Sequence, residues 1–108
     1  MIVFDVPTSG AITQYPSPEH ENAYDFACSR GEGVRAVHSG EGTYYWSNRM
    51  GWVFVHEYNG RRTEYAHLQN VNPPGYYERG DIIGTCGNTG TWSSGVHLHF
   101  ESNQPYRF

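Results

Sequence analysis

The sequence has no long apolar run, no basic stripe and no sustained 3.6-residue apolar period, and each absence excludes something. None of its apolar stretches approaches the ~20 residues needed to span a bilayer. Its first residues, Met1-Ile2-Val3-Phe4-Asp5, lack a basic segment followed by a long apolar stretch, so no signal peptide is visible. Seven basic residues against eleven acidic ones leave a net charge of −4. That balance carries no electrostatic footprint for nucleic acid and gives no general pull toward anionic surfaces. The missing helical period argues for strands. No internal repeat and no low-complexity tract is present. Cysteine is scarce: Cys28 and Cys86 stand alone, outside any CxxC pair, so they read as neither a zinc knuckle nor a redox motif. A disulfide between them would suit an extracellular protein. Two buried free thiols are the other reading.

What is present points to an all-β fold. Gly (13) and Tyr (9) are abundant among the 108 residues, a length that suits one domain with a modest core. Short β-rich runs alternate with turn residues and predict strands near Tyr24–Cys28, Gly33–Val37, Thr43–Trp46, Trp52–Tyr58, Arg61–His67, Ile82–Thr85 and Val96–Glu101. The clearest unit is a hairpin around Asn59-Gly60, the favoured pair for a two-residue type I′ turn. It predicts the pairs Tyr58–Arg61, Glu57–Arg62, Phe54–Tyr65 and Trp52–His67, with Trp52, Phe54, His56, Tyr65 and His67 on one face. Asn70 to Gly75, with Pro73-Pro74, reads as a loop, and Arg79-Gly80-Asp81 as a turn. The run from Gly84 to Gly90 is a glycine-punctuated loop whose glycines suggest tight turns or close backbone approach. No GK[ST] follows it, so it is not a phosphate loop.

The chemistry concentrates in the tail, Gly95-Val96-His97-Leu98-His99-Phe100-Glu101. On a strand, positions i and i+2 share a face, so His97 and His99 project together. Clustered imidazoles are what a zinc site uses. Asp25 interrupts an apolar strand, where a carboxylate is costly unless it is paired or bound to metal. His38, before Ser-Gly in a turn, and His56, mid-strand, have ordinary structural explanations.

Four segments together resemble the lysostaphin/LytM-type zinc endopeptidases that cut peptidoglycan cross-links. They are His20…Asp25-Phe26-Ala27, Tyr65-Ala66-His67-Leu68, Arg79-Gly80-Asp81-Ile82-Ile83-Gly84, and Gly87-Asn88-Thr89-Gly90 running on to the HLHFE tail. The resemblance covers roughly Pro7 to Glu101, within a single peptidase domain over residues 1–108. It implies a compact antiparallel β domain of the duplicated-hybrid-motif type, with an open groove. It implies one Zn²⁺ held by His20, Asp25 and His99, and catalytic roles for His67 and His97 beside the attacking water and the scissile carbonyl. Three protein ligands would leave a fourth position open, as catalytic zinc requires. Which of His67 and His97 is the general base stays open. The implied substrate is a peptidoglycan stem peptide or cross-bridge, cut by a monomer outside the cell, in the envelope or periplasm, or carried by a phage particle.

One departure from the family pattern stands out. The common spacing is His-x-x-x-Asp, whereas His20 and Asp25 are five residues apart. Strict offset would place the ligand at Glu21, which is the reserve candidate. An odd separation on a straight strand puts two side chains on opposite faces, so the 21–23 stretch must turn or bulge. The same spacing motivates the rival reading, a catalytically inactive LytM-like binding or activator domain of the envelope. The aromatic surplus, Tyr44-Tyr45-Trp46, Trp52, Tyr76-Tyr77 and Trp92, could wall a groove or pack on the sheet. Trp92, beside the histidine loop, is the candidate substrate contact.

Overall fold

A computed structural model describes residues 2–18, 22–104 and 106–108. Among the described residues the regular structure is all strand: β1 (Ile2–Val3), β2 (Ile12–Gln14), β3 (Ala23–Phe26), β4 (Gly33–Arg35), β5 (Gly40–Ser47), β6 (Gly51–Tyr58), β7 (Arg61–Leu68), β8 (Asn70–Val71), β9 (Gly75–Tyr77), β10 (Ile82–Thr85), β11 (Leu98–Ser102) and β12 (Tyr106–Arg107). Seven of them form an antiparallel sheet in the order β2-β3-β11-β7-β6-β5-β9. A second sheet, β4-β10-β8, is also antiparallel, and β1 pairs with β12 in parallel. Among the described residues no helix is long and apolar enough to cross a membrane.

The β6–β7 hairpin forms as its turn chemistry dictates. Asn59 (φ 54°) and Gly60 (φ 83°) both take the positive φ that a type I′ turn demands. Tyr58 faces Arg61, Glu57 faces Arg62 and Phe54 faces Tyr65, as the alternation predicts. The expected Trp52–His67 pair does not form. Trp52 faces Leu68 instead, because one extra residue is inserted in β7 between Tyr65 and Leu68. His67 sits at that bulge with φ 62°, so it leaves the Trp52/Phe54/His56/Tyr65 face. The stretch expected to be a loop from Asn70 also begins with a short strand. Asn70 and Val71 pair with Thr85 and Gly84 before Pro73-Pro74 ends the ladder.

Strand alternation then sorts the side chains. In β11, Leu98, Phe100 and Ser102 are buried while His99 and Glu101 are half-buried on the opposite face. Phe100 is opposite Tyr65 on β7 and Tyr24 on β3. These residues, with Phe26, Phe54, Leu68 and Leu98, meet Val34, Ala36, Ile83 and Cys86 from the smaller sheet and its flanks, forming the main core. Each fully buried side chain of this size contributes about 1.5–3 kcal/mol. Tyr65 is buried with a polar end, and its hydroxyl accepts from the Val37 amide at 3.0 Å. The other face of the large sheet carries a small apolar cluster, Val53, Val55 and Ala66. Beside that cluster lie the polar residues described below.

Cys28 and Cys86 form a disulfide, Cα–Cα 6.4 Å, between residues 58 apart in sequence. Cys28 follows β3 and Cys86 follows β10, so the bond ties the large sheet to the small one.

Candidate active site

Three strands bring the site together. Asp25 lies on β3, directly opposite His99 on β11, and His99 faces Ala66 on β7. Cross-strand partners share a face, so Asp25 and His99 emerge side by side. His99 Nδ1 is 3.0 Å from Asp25 Oδ1, and His99 Nε2 is 2.7 Å from Glu101 Oε1. Burial pulls the His99 ring down, but the hydrogen bonds to Asp25 and Glu101 and their charges outweigh it and push it up to about 9.

His97 precedes β11 and is fixed by backbone. Gly87 and His97 form an isolated antiparallel bridge, in which the His97 amide donates to the Gly87 carbonyl at 3.3 Å. His97 Nδ1 donates to the Gly95 carbonyl at 2.8 Å, and Ser93 Oγ lies 3.3 Å from the same nitrogen. Ser93 also bonds to Asn88, which braces the loop. His97 Nε2 points toward the site, 3.9 Å from Asp25 Oδ2.

His67 reaches the cluster through the bulge. Regular alternation from Tyr65 would aim it into the core. Its left-handed backbone turns it instead, so its ring lies 4.8 Å from that of His97 and 6.0 Å from that of His99, centroid to centroid. A non-glycine residue at positive φ persists where its surroundings hold it. The His67 amide donates to the Met50 carbonyl at 2.8 Å, and His67 Nδ1 donates to the Thr89 carbonyl at 2.6 Å. Burial, opposed by the Thr89 bond and reinforced by the neighbouring imidazoles, lowers its affinity for a second proton. The Thr89 and Gly95 carbonyls can only accept, so each ring carries a proton on Nδ1, and in the neutral tautomer Nε2 is the acceptor nitrogen.

The Thr89 carbonyl is placed by the glycine-rich loop. Thr89 Oγ1 donates to the Leu68 carbonyl at 2.6 Å and accepts from the Trp52 amide at 3.2 Å. Gly90 follows at φ 89°, so close to the β5–β6 turn that a Cβ there would sit 2.4 Å from the Arg49 carbonyl oxygen. The close approach expected of these glycines is real here.

The structure thus gathers Asp25, His67, His97 and His99. His20 and the reserve candidate Glu21 lie outside the described residues. Trp92 is on the loop that carries Ser93; it is 65% exposed, with the Arg49 guanidinium 4.9 Å over its ring. Glu101 was missed in the sequence, yet the signal was present: it continues the i, i+2 series of His97 and His99. His38 and His56 belong elsewhere. They are buried and stacked on each other at 4.5 Å, and burial pushes the first down to about 4 and lowers the second. A cavity of about 510 Å³ near His38, Tyr58, Arg61, Tyr76 and Arg79 lies by the hairpin turn and contains none of the cluster.

Among the described residues no three His, Cys, Asp or Glu side chains close around a common point as a metal group. The Asp25–His99 pair nonetheless offers two donors of the right chemistry. Neighbouring corners of a zinc tetrahedron with bonds of about 2.0–2.1 Å lie about 3.3 Å apart, close to the 3.0 Å between Asp25 Oδ1 and His99 Nδ1.

Comparison with known proteins gives the class. The profile of peptidase family M23 matches residues 19–107, and the chain belongs to that family. The DD-carboxypeptidase/endopeptidase Mpg of Neisseria meningitidis is 37% identical over 83 residues, 72% of this chain and 19% of Mpg. The chain therefore spans about a fifth of the length of the curated relatives it matches. A zinc containing peptidase from Vibrio cholerae superposes with a TM-score of 0.78 at 28% identity, covering 90% of this chain and 35% of that one. The catalytic domain of lysostaphin from Staphylococcus simulans superposes with a TM-score of 0.71 at 31% identity, covering 86% and 74%. The all-β fold is that of the lysostaphin/LytM-type domains, as the sequence motifs predict.

Proposed function

We propose that the chain is one zinc-dependent endopeptidase domain that hydrolyses peptide bonds in peptidoglycan stem peptides or cross-bridges, working as a monomer outside the cell or in the envelope. The observation that carries this reading is the apposition of Asp25 Oδ1 and His99 Nδ1 beside two further imidazoles, His67 and His97, whose Nδ1 atoms are held by backbone carbonyls. The peptidase class of the family, with relatives that are a DD-carboxypeptidase/endopeptidase and an antimicrobial peptidase, supports the substrate class.

Asp25 and His99 would hold one zinc ion, with His20 as the third ligand. Zinc bound there supplies Lewis acidity toward the scissile carbonyl and brings the pKa of water toward about 7. The remaining steps fall to the chain's own residues. One of His67 and His97 accepts the proton of the attacking water at Nε2 and passes it to the departing amine. The other, when protonated, donates from Nε2 to the developing oxyanion. The Thr89 and Gly95 carbonyls hold both rings so that no reorientation is needed during the reaction. Trp92 would offer an exposed ring to the substrate peptide.

Equilibrium dialysis against zinc tests the ligand set. The wild type is expected to hold one ion per chain, and Asp25→Ala and His99→Ala to lose it. Retention of full zinc content by both variants would remove them from the metal site.

A further inference from the structure

We infer that Glu101 is a positioning residue for the metal centre: by accepting a hydrogen bond from His99 Nε2 it directs His99 Nδ1 at the metal. The inference rests on the zinc reading above and assigns a role to a residue outside the ligand and catalytic sets.

The argument starts from the strand. His99 and Glu101 are two apart on β11, so they share its open face, with Leu98 and Phe100 anchoring the other face in the core. The core anchors fix the strand's rotation, and hence the height of both polar side chains above the sheet. Glu101 Oε1 lies 2.7 Å from His99 Nε2, the short distance of a charge-assisted bond. An imidazole has two nitrogens and binds a metal through the one without a proton. A carboxylate that holds the proton on Nε2 leaves the Nδ1 lone pair for the metal, and Nδ1 is the nitrogen facing Asp25. The same bond stops rotation about the Cβ–Cγ axis. Carboxylate–histidine–metal relays of this kind are a general device, and losing the outer carboxylate typically weakens metal binding about 10–100-fold.

The neighbourhood supplies an internal control. Glu64 on β7 is directly opposite Glu101 and carries the same charge on the same face. Its carboxylate is engaged by Tyr45 Oη at 3.0 Å and Arg62 Nη2 at 3.6 Å, and it makes no described contact with His99. A general electrostatic effect would be shared by both glutamates, whereas a positioning effect belongs to Glu101.

Zinc affinity measured by competition with a chromogenic chelator, across wild type, Glu101→Ala, Glu101→Gln and Glu64→Ala, tests this. Glu101→Ala is expected to bind zinc about 10–100-fold more weakly. Glu101→Gln, whose Oε1 still accepts from Nε2, should recover part of the loss, and Glu64→Ala should match wild type. Equal affinities for wild type and Glu101→Ala, or equal losses for Glu101→Ala and Glu64→Ala, would overturn the inference. Failure of the wild type itself to bind zinc would instead sink the functional reading. The hydrogen bond has a separate readout in the metal-free protein. The His99 Nε2 proton should give a downfield, slowly exchanging NMR signal that disappears in Glu101→Ala, and its persistence there would also overturn the assignment.

Discussion

Reduction of the Cys28–Cys86 disulfide is expected to cost this domain about 4 kcal/mol. The bond closes a loop across 58 positions. In the chain-entropy account, cross-linking over that separation removes about 14 cal/mol/K from the unfolded ensemble, or about 4 kcal/mol at 25 °C. A chain of this length unfolds with an entropy of about 0.23 kcal/mol/K near 60 °C, so the loss corresponds to a fall in Tm of about 18 °C. The site should feel it too. Cys28 lies three residues beyond Asp25, and Cys86 adjoins Gly87, whose carbonyl holds the His97 amide. The assay is a urea or thermal melt of oxidised protein, of protein reduced with a phosphine, and of Cys28→Ala/Cys86→Ala. Both perturbed forms should fall together and become insensitive to reductant. A loss below about 1 kcal/mol in both would refute the reasoning, because it would mean that the closed loop does not restrict the unfolded chain.

Two further outcomes follow from the packing. His38 is buried and held down to about 4, against about 6.5 in the unfolded chain, and His56 stacked on it is lowered as well. Because the folded-state pKa is depressed, the unfolded state binds the extra proton, so stability is full above about pH 6.5 and falls as pH drops toward 4. The slope is up to about 1.4 kcal/mol per pH unit for each histidine. Urea midpoints at pH 7, 6 and 5 should show it, with a shallower dependence in His38→Gln; parallel slopes would contradict it. Gly90→Ala should destabilise by about 1–3 kcal/mol, since alanine strains at φ 89° and its Cβ meets the Arg49 carbonyl. It should lower turnover beyond the stability loss, because it displaces Thr89 from His67; a variant with wild-type Tm and activity would count against that loop's role.

Much of the fold was legible because local chemistry and periodicity agreed. Asn59-Gly60 fixed the turn, and the alternation of Trp52, Phe54 and His56 against Tyr65 fixed the hairpin register up to Tyr65. Leu98 and Phe100 between His97, His99 and Glu101 announced a strand with one apolar and one polar face. The placement of His67 was not legible. Its bulge depends on the Met50 and Thr89 carbonyls, contributed by segments distant in sequence, and nothing in Tyr65-Ala66-His67-Leu68 records them. The two-residue strands β1, β8 and β12 were missed for a different reason: two residues cannot display a period. The disulfide was undecidable from two isolated cysteines, and is settled by the meeting of the β3 and β10 ends. His20 rested on the family's motif, from which its five-residue offset to Asp25 departs, and His20 itself lies outside the described residues.

The most direct test of the central claim is mass spectrometry of purified peptidoglycan digested with the zinc-loaded protein, beside a His97→Ala control. The wild type should release fragments with new amine termini, whose masses name the bond cut, while His97→Ala keeps its zinc and releases almost none. No release from walls of either cross-bridge type, or equal release by both proteins, would contradict the account.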